Sequence, residues 1–497
     1  MAKAPRRKPA SVPLEIEIRN FGPISRGKFR LKPLTVFVGP NNAGKTFAAT
    51  LAHSVLSARS GGANHPELAE WIKPRLCEAR VRELVSGVQR AMRAAKGGAL
   101  KVPQRHRDKM LDLALEHRFE MSILNTIREN FGAELGSLVR IGSRGTRISI
   151  RHHINVDIEI RKTGKPVVRL APGKEILHAN REAWADAPHS TGARTEVLAR
   201  HNMVGMPAPR GNSTRQRATR DKKPLQHVLA MIDNIGNLVE AGMPTSYCLP
   251  SVRSGVLCAR NPIVSGIISA SRYGADVRQD TPMTGVMCEY VDSIASLSNN
   301  APSVNRNGKQ DMFGDLFGGR LDVRKPKVGL PQIMYSVGDA TIPLNLLSSS
   351  ISETAPMQLF LQNSIPQTDL LVLEEPEAHL HPETQTRLAK HIVRMVNRGV
   401  CVLLITHGVY FLEQLSMFVR LSQIPAKERK KLGFDESDCL DVGDVAPYMF
   451  KKSTDGGYAI QEVEHTPTVG ISQDEFGRVM DSMYDKEFHI DRIIGDS

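Results

Sequence analysis

A short segment near the start of the chain carries residue types suited to binding phosphates. Residues 39–46 read Gly-Pro-Asn-Asn-Ala-Gly-Lys-Thr and fit the pattern G-x-x-x-x-G-K-[S/T]. In this pattern backbone N–H groups converge on the phosphates, the lysine meets the β and γ phosphates, and the hydroxyl reaches Mg²⁺. The sequence therefore predicts a site for ATP and Mg²⁺. The residues expected to contact the nucleotide are Gly39, Pro40, Asn41, Asn42, Ala43, Gly44, Lys45 and Thr46, with Lys45 also catalytic and Thr46 also a metal ligand.

A second segment, far downstream, places two carboxylates after an apolar run. Residues 370–380 read Leu-Leu-Val-Leu-Glu-Glu-Pro-Glu-Ala-His-Leu, and the apolar run is predicted to be a buried strand. Ligands of open parallel sheets bind at the carboxyl ends of the strands. Glu374 is therefore expected to hold Mg²⁺, directly or through water, and Glu375 to orient or deprotonate the attacking water. The alternative is a carboxylate pair that only caps a helix or closes a turn.

Three histidines follow these apolar segments, and one of them is expected to be functional. Residues 401–406 form another apolar strand, and His407 at its end can donate to a γ-phosphate. A structural histidine is the alternative. His379 and His381 lie in a turn shaped by prolines and have no evident third ligand, so a zinc site is not predicted there.

Alternating strands and helices are expected to position these residues. The apolar, β-branched run at residues 34–38 leads directly into the loop 39–46, and residues 46–58 follow as a helix, which is the context that the phosphate motif requires. From residue 329 onwards the alternation implies a parallel sheet with right-handed crossovers. The predicted elements there are helix 353–363, strand 369–373, helix 382–398 and strand 400–406.

A large positive charge is the most unusual property of the composition. The 497 residues carry a formal charge of +14, with a pI near 9.5. A basic balance favours polyanionic partners, either nucleic acid or acidic protein, and non-specific attraction is the alternative.

The six cysteines and the hydropathy favour a cytoplasmic location. No C-x-x-C pair is present, which argues against a zinc site or a disulfide framework and favours a reducing compartment. The N-terminal basic residues are not followed by the apolar segment of a secretory signal. No stretch approaches the roughly 18 apolar residues of a membrane helix, so no membrane association is expected.

These segments together resemble ABC-type ATPases of the recombination, chromosome-maintenance and overcoming-lysogenization-defect group. Residues 16–24 are similar to the group's opening strand and turn, residues 374–382 to its Walker B motif and D-loop, and residues 406–412 to its His switch. The resemblance covers residues 12–60 and 320–465. It implies an α/β fold, namely an ABC-type P-loop ATPase head with a mixed sheet flanked by helices, an antiparallel β subdomain and a largely helical insertion.

The resemblance also implies a signature loop that acts on a second subunit. Residues 347–353 read Leu-Ser-Ser-Ser-Ile-Ser-Glu, and the family's loop contacts the γ-phosphate of a nucleotide held by the opposing subunit. Ser348 and Ser349 are the expected contacts, because hydroxyls at the start of a helix suit an anion. Two residues depart from the family pattern: Ser350 replaces the usual glycine, and Glu374 replaces the commoner aspartate.

Residues 249–255, Leu-Pro-Ser-Val-Arg-Ser-Gly, are similar to a segment found in one subgroup of these ATPases. Members with this segment are often AAA-family ATPase subunits of bacterial anti-phage defence systems. Arg253 is interpreted either as a switch or inter-subunit contact, or as an ordinary surface arginine.

The implied organisation is a head interrupted by an insertion. The insertion should hold helices, antiparallel strands at residues 147–170 and a basic loop at residues 194–224, which either contacts nucleic acid or is only solvated. The expected boundaries are 1–11 for a disordered basic tail, 12–60 for lobe I with the Walker A loop, 61–245 for the insertion, 246–330 for the rest of lobe I and a linker, and 331–497 for lobe II with the signature, Walker B, D-loop, His switch and a C-terminal extension.

The expected function is that of an ATPase whose heads pair under ATP. The resemblance implies a homo-oligomer, dimer or higher, and a separate effector protein such as a nuclease or toxin, because no acidic constellation of a fused nuclease follows His407. The alternative is a RecF-like repair clamp that binds duplex DNA, and nucleic acid therefore remains open as a partner. A transporter ATPase is disfavoured, since nothing marks a coupling surface for membrane domains.

Overall fold

The structure is a computed structural model, and it describes most of the chain. The described residues are 14–58, 65–95, 102–152, 154–173, 223–241, 244–257, 283–300, 319–324, 332–362 and 369–473, together with 485, 486, 490 and 492. The predicted basic tail at residues 1–11 and the predicted basic loop from residue 194 to residue 222 lie outside these ranges.

Helices are named α1 to α10 in chain order. Their bounds are α1 Lys45–Ser57, α2 His65–Ile72, α3 Ala79–Ala95, α4 Gln104–Phe131, α5 Lys223–Ala241, α6 Gly285–Asn300, α7 Ser349–Gln362, α8 Pro382–Asn397, α9 Val409–Arg420 and α10 Ala426–Lys431. Among the described residues, no helix is long and apolar enough to cross a membrane.

Strands are named β1 to β16 in the same way. Their bounds are β1 Glu15–Phe21, β2 Ile24–Arg30, β3 Leu34–Val38, β4 Gly145–Arg151, β5 Ile154–Arg161, β6 Val167–Pro172, β7 Ser246–Leu249, β8 Arg320–Arg324, β9 Gln332–Val337, β10 Ala340–Pro343, β11 Leu370–Glu374, β12 Cys401–Ile405, β13 Val445–Lys452, β14 Tyr458–Glu462, β15 His465–Thr466 and β16 Gly470–Ile471.

The chain divides into two compact units. The first contains Met1–Val12, Pro23–His53 and Ser246–Ser497, and the second contains Pro13–Gly22 and Ser54–Thr245. All the residues expected to bind or hydrolyse a nucleotide belong to the first unit.

The first unit is built on a mixed sheet in the order β2-β14-β13-β3-β12-β11-β7. Strands β13, β3, β12, β11 and β7 run parallel to one another, and β14 is antiparallel to β13. The strands β3, β11 and β12 are buried along their whole length, as expected for parallel strands covered on both faces. The apolar face of α8 joins their core through buried residues such as Leu388, Ile392 and Val396.

The second unit combines an antiparallel sheet with helices. Its strands lie in the order β6-β5-β4-β1, and each pair is antiparallel. In β5 buried and half-buried residues alternate, because alternate side chains of a strand face opposite sides of the sheet. Helix α4 packs against α3, α5 and β6.

The predicted α/β fold, a mixed sheet flanked by helices with an antiparallel β part, is confirmed. Two helix boundaries differ from the sequence prediction. The helix predicted at residues 353–363 begins four residues earlier, at Ser349, so the serine-rich segment lies in its first turn. The predicted basic loop was extended too far, because Lys223 already begins α5.

An ion pair with one buried partner fixes the second half of α8, and it gives a test of this fold. The side chain of Asp438 is fully buried, with Arg394 Nε at 2.7 Å and Lys390 Nζ at 3.3 Å. Arg394→Ala removes the closer cation from a buried carboxylate and should lower the free energy of unfolding by about 2 to 4 kcal/mol.

The matched control lies on the same helix. Arg387 pairs with exposed Glu383, and Arg387→Ala should change the stability by less than about 0.5 kcal/mol. Chemical denaturation of both variants provides the comparison. Equal effects of the two substitutions would show that the contact with Asp438 does not stabilise the fold.

Candidate functional site

The carboxyl ends of four parallel strands meet at one edge of the first unit's sheet. Strand β3 ends at Val38, β12 at Ile405, β11 at Glu374 and β7 at Leu249. Strand β12 pairs with β3 on one side and with β11 on the other. The loop after β3 and the glutamates after β11 therefore flank the segment that follows β12, at the edge where parallel sheets bind ligands.

Two glycines allow the sharp path of the loop after β3. Gly39 has a φ of 138°, and a Cβ there would lie 2.8 Å from the backbone oxygen of Phe450. Gly44 has a φ of 97°, and a Cβ there would lie 2.7 Å from Cγ1 of Ile24. Only glycine adopts such conformations readily. Within the loop Pro40, Asn41, Asn42 and Thr46 are exposed, whereas Ala43 and Gly44 are buried.

Lys45 carries a buried ammonium group that its own loop holds. Its Nζ donates to the carbonyl oxygens of Gly39 at 3.0 Å and Pro40 at 2.7 Å. Burial lowers the pKa of Lys45 to about 8, while the nearby charge of Glu375 raises it. A bound phosphate would favour the charged form of this lysine more strongly than neutral carbonyl groups do. The charges of Lys45 and of Glu375, the residue expected to act on water, therefore interact.

Glu374 is a buried carboxylate with few donors around it. The residue is 8% exposed, and the backbone N–H of Ser251 donates to its Oε2 at 3.3 Å. Burial raises the pKa of Glu374 to about 7, the bond from Ser251 lowers it, and the charge of Glu375 raises it. A nearby cation would favour the ionised form of this carboxylate.

Glu375 and His407 face each other across the ends of β11 and β12. Oε1 of Glu375 lies 3.4 Å from Nε2 of His407. Burial lowers the pKa of His407, the charge of Lys45 lowers it further, and Glu375 raises it. Burial and the charge of Lys45 thus favour the neutral imidazole, whereas Glu375 favours the charged form. The structure thus brings together the three residues predicted to be catalytic, Lys45, Glu375 and His407.

The donor set at this edge fits Mg²⁺. The hydroxyl of Thr46 and the carboxylate of Glu374 are oxygen ligands, which Mg²⁺ prefers, and a nucleotide's phosphates usually complete such sites. The buried, sparsely bonded Glu374 supports this assignment, since a cation would stabilise its charge. Among the described residues no group of three or more His, Cys, Asp or Glu forms a metal site. His381 instead caps α8, its Nδ1 accepting from the N–H of Glu383 at 3.4 Å.

Arg253 is fully buried, which corrects its interpretation as an inter-subunit contact and as an ordinary surface arginine. With 0% exposure it is neither a surface residue nor available to a second subunit. Its Nη1 donates to the carbonyl oxygens of Glu374 at 2.8 Å and Pro250 at 3.1 Å, and its Nη2 to that of Glu375 at 3.3 Å. The guanidinium therefore holds the backbone of both glutamates at the end of β11.

Glu353 is a residue that the sequence analysis missed. Its carboxylate accepts from the N–H groups of Arg253 at 3.1 Å and Ser254 at 3.2 Å, and from the hydroxyl of Ser254. Its carbonyl oxygen accepts from Arg253 Nε at 3.0 Å. Helix α7 is thereby joined to the segment after β7. The two partners lie 100 residues apart in sequence, so no local pattern could pair them.

The serine-rich segment begins α7 and contacts the loop after β11. Ser348 and Ser349 are exposed at the start of this helix. The hydroxyl of Ser350 donates to the carbonyl oxygen of His379 at 2.6 Å, and His379 has a φ of 63°. Ser350, where the resemblance predicts a glycine, is thus used for a hydrogen bond within the chain, between the serine-rich segment and the loop after β11.

Comparison with known proteins supports the class of this site. Residues 284–412 match the AAA ATPase domain family. The matched range contains Glu374, Glu375 and His407, and it does not contain the loop 39–46. The loop 39–46 and the matched range are thus separate parts of the sequence, and both are similar to ATPase-type nucleotide-binding domains. None of the curated proteins matches this sequence.

Several solved structures resemble the chain at low similarity. The SmcHead bound to the C-winged helix domain of ScpA has 11% identity and a TM-score of 0.40, over 92% of this chain and 98% of that chain. The SMC head domain from Thermotoga maritima has 11% identity and a TM-score of 0.32, over 90% of this chain and 98% of that chain. The Smc head domain with an extended coiled coil, bound to the C-terminal domain of ScpA derived from Pyrococcus furiosus, has 11% identity and a TM-score of 0.35. The match covers 96% of this chain and 100% of that chain. At these values the likenesses imply nothing about function.

The raised pKa of Glu374 predicts that stabilisation by Mg²⁺ depends on pH. Its pKa in the folded protein, about 7, exceeds the ordinary value of 4.5. Below pH 7 the folded protein keeps a proton that Mg²⁺ must displace, so Mg²⁺ affinity should fall by up to about tenfold per pH unit. Without a cation, stability should fall as pH rises from 4.5 to 7, because the folded state then binds more protons than the unfolded state.

Thermal melting with ATP, in Mg²⁺ or in EDTA, at pH 6, 7 and 8 measures this effect. The stabilisation due to Mg²⁺ should grow with pH in the wild type, and it should grow less in Glu374→Gln, where only the titration of ATP contributes to the pH dependence. The variant also controls for the titration of ATP itself, which both proteins experience equally. A pH dependence that persists unchanged in Glu374→Gln would show that another group is responsible.

Proposed function

We propose that the chain binds ATP with Mg²⁺ and hydrolyses it at the edge formed by β3, β12 and β11. The observation that carries this proposal is the meeting of Lys45, Glu375 and His407 beside the buried carboxylate of Glu374. The match of residues 284–412 to an AAA ATPase domain supports it independently of the phosphate-binding loop.

Each residue has one task in the proposed reaction. Lys45 neutralises charge on the β and γ phosphates. Glu375 orients the attacking water and accepts its proton, for which its half-exposed carboxylate is accessible. His407 donates a hydrogen bond to the γ-phosphate. Thr46 and Glu374 hold Mg²⁺, which supplies further positive charge at the phosphates when bound.

Substitution of Glu375 is the first test of this proposal. Glu375→Gln keeps the shape of the side chain but cannot accept a proton, so kcat should fall by about 100-fold or more, while ATP still binds. Lys45→Ala should weaken ATP binding itself. Glu428→Gln, a change of the same chemistry on the exposed helix α10, should leave both properties unchanged.

Release of phosphate and binding of a fluorescent ATP analogue distinguish these outcomes. Hydrolysis at the wild-type rate by Glu375→Gln would refute the assignment of the base. Absence of binding in the wild type would refute the proposed site as a whole.

We also propose that ATP pairs two copies of the chain. Ser348 and Ser349 are exposed at the start of α7, where hydroxyls, N–H groups and the helix dipole all favour an anion. A nucleotide held by one chain can therefore be contacted by the serines of another. On the resemblance described above, the pair would act in the cytoplasm as sensor and scaffold for a separate effector, a nuclease or toxin, in bacterial anti-phage defence.

Mass photometry of Glu375→Gln tests the pairing. Addition of Mg²⁺ and ATP should double the mass or raise it further, because the variant retains ATP. Adding Ser349→Glu should abolish the shift, since a carboxylate would repel the γ-phosphate, whereas Ser349→Ala should only weaken it. A protein encoded beside this chain, added to the same sample, should join or leave the complex with ATP.

The formal charge of +14 favours a second candidate, a DNA clamp of the RecF kind. In that case the same measurement would show binding of duplex DNA that depends on ATP and weakens steeply with salt. A mass that ATP leaves constant, together with such DNA binding, would replace the effector proposal by the clamp. Pairing without DNA binding would exclude the clamp.

A further inference from the structure

Glu377 is a buried carboxylate that connects the loop after β11 to the loop after β12. The residue is 8% exposed. Its Oε1 accepts from the hydroxyl of Thr406 at 2.5 Å, from the N–H of Gly408 at 3.2 Å and from the N–H of His407 at 3.3 Å. All three donors lie in the three-residue segment centred on His407.

One oxygen of the carboxylate, Oε1, accepts all the bonds from other residues. Its other oxygen, Oε2, is buried and has no hydrogen-bond partner. Burial raises the pKa of Glu377, and the bonds from Thr406, from its own backbone N–H, from Gly408 and from His407 lower it. Burying a carboxylate is unfavourable unless specific bonds offset the lost hydration. Apart from the bond from its own N–H, these bonds come from residues 406–408, so this is the distant segment that the carboxylate stabilises.

The segment around His407 is packed closely against this carboxylate. A Cβ on Gly408 would lie 3.3 Å from both Cγ and Oε1 of Glu377, and 3.3 Å from Cβ of Phe411. The N–H of Gly408 also donates to the hydroxyl of Thr406 at 3.0 Å. Strand β12 ends directly before this segment and α9 begins directly after it. The backbone of His407 is therefore fixed by β12 before it, by α9 after it and by its hydrogen bond to Glu377.

We propose that Glu377 is a positioning residue that holds His407 against Glu375 during ATP hydrolysis. The backbone N–H of His407 is 3.3 Å from Glu377, and its ring Nε2 is 3.4 Å from Glu375. The loop that carries Glu375 thus also carries the acceptor that fixes the opposing histidine. The proposal rests on the hydrolysis proposed above and adds how its histidine is oriented.

The kinetic test compares Glu377→Leu with Glu377→Gln. Leucine removes all three acceptor contacts, and kcat should fall by at least about tenfold while KM for ATP stays within about twofold. Glutamine can still accept these bonds through its Oε1, so its kcat should stay within about threefold of the wild type. Thr406→Val, which removes one donor and preserves shape, should give an intermediate loss if Glu377→Leu does not fold.

A double-mutant cycle separates positioning from a general loss of structure. In a His407→Ala background, Glu377→Leu should lower kcat by no more than about twofold further, because its effect acts through the missing ring. The proposal would be overturned if Glu377→Leu lowered kcat by the same factor in the His407→Ala background as in the wild type. An unchanged kcat in Glu377→Leu alone would also overturn it.

A chemical probe tests the positioning without any hydrolysis. Diethyl pyrocarbonate modifies accessible neutral imidazoles, and mass spectrometry of peptides resolves each histidine. Glu377→Leu should raise the modification rate of His407 several-fold, with His381 unchanged as the internal control, and Glu377→Gln should resemble the wild type. An unchanged rate at His407 would refute the positioning role. If the wild type hydrolyses no ATP but the labelling rates differ as expected, the positioning role stands and only the proposed reaction is refuted.

Discussion

Parallel hydrogen bonding on both sides of β12 is the constraint on which the site depends. Because β12 lies between β3 and β11, the phosphate-binding loop and the two glutamates cannot be neighbours across one ladder. Two strand spacings separate them, about 10 Å. That width suits a chain of phosphates with a metal ion, and it leaves His407, at the end of the middle strand, between the two groups. The order of the strands therefore decides which residue can face which.

Two buried charged residues, Arg253 and Glu353, support the backbone of the site from behind this edge. The guanidinium of Arg253 is surrounded by backbone carbonyl oxygens, two of which belong to Glu374 and Glu375. A buried cation needs such acceptors, because its hydration is lost. Glu353 completes the arrangement from the second turn of α7. The start of the helix that presents Ser348 and Ser349 is thus connected by hydrogen bonds to the backbone of the residues expected to handle water and metal.

The sequence predicts this site well where chemistry is local, and poorly where it is not. The loop 39–46, the strand before Glu374 and the position of His407 follow from short patterns whose residues are adjacent in the chain. The strand order, with β12 between its neighbours, supplies what those patterns cannot specify. Arg253 was misjudged because burial of an arginine depends on acceptors contributed by distant segments.

Glu353 and Glu377 show the same limit in another form. Each stands inside a motif that the sequence analysis identified, yet neither received a role, since a motif names residue types and not the backbone groups they meet. Glu377 contacts a segment some thirty residues away, and Glu353 one a hundred residues away. Such contacts become visible only when the sheet has brought its loops together. Short sequence patterns indicated which residue types lie at this edge, whereas the contacts that orient them could not be predicted.

The backbone of Glu375 has a consequence for how the site meets its ligand. Its φ of 44° lies in the left-handed region, a backbone conformation that residues other than glycine adopt at a cost in free energy. Residues with such backbone strain concentrate at functional sites. The N–H of Glu375 donates to Ile405 and its carbonyl oxygen accepts from Arg253, so the surrounding fold maintains this conformation before any nucleotide arrives. Little reorganisation is then left for the binding step. The backbone of Glu375 is thus preorganised, and a nucleotide that bound here would lose little free energy in ordering it.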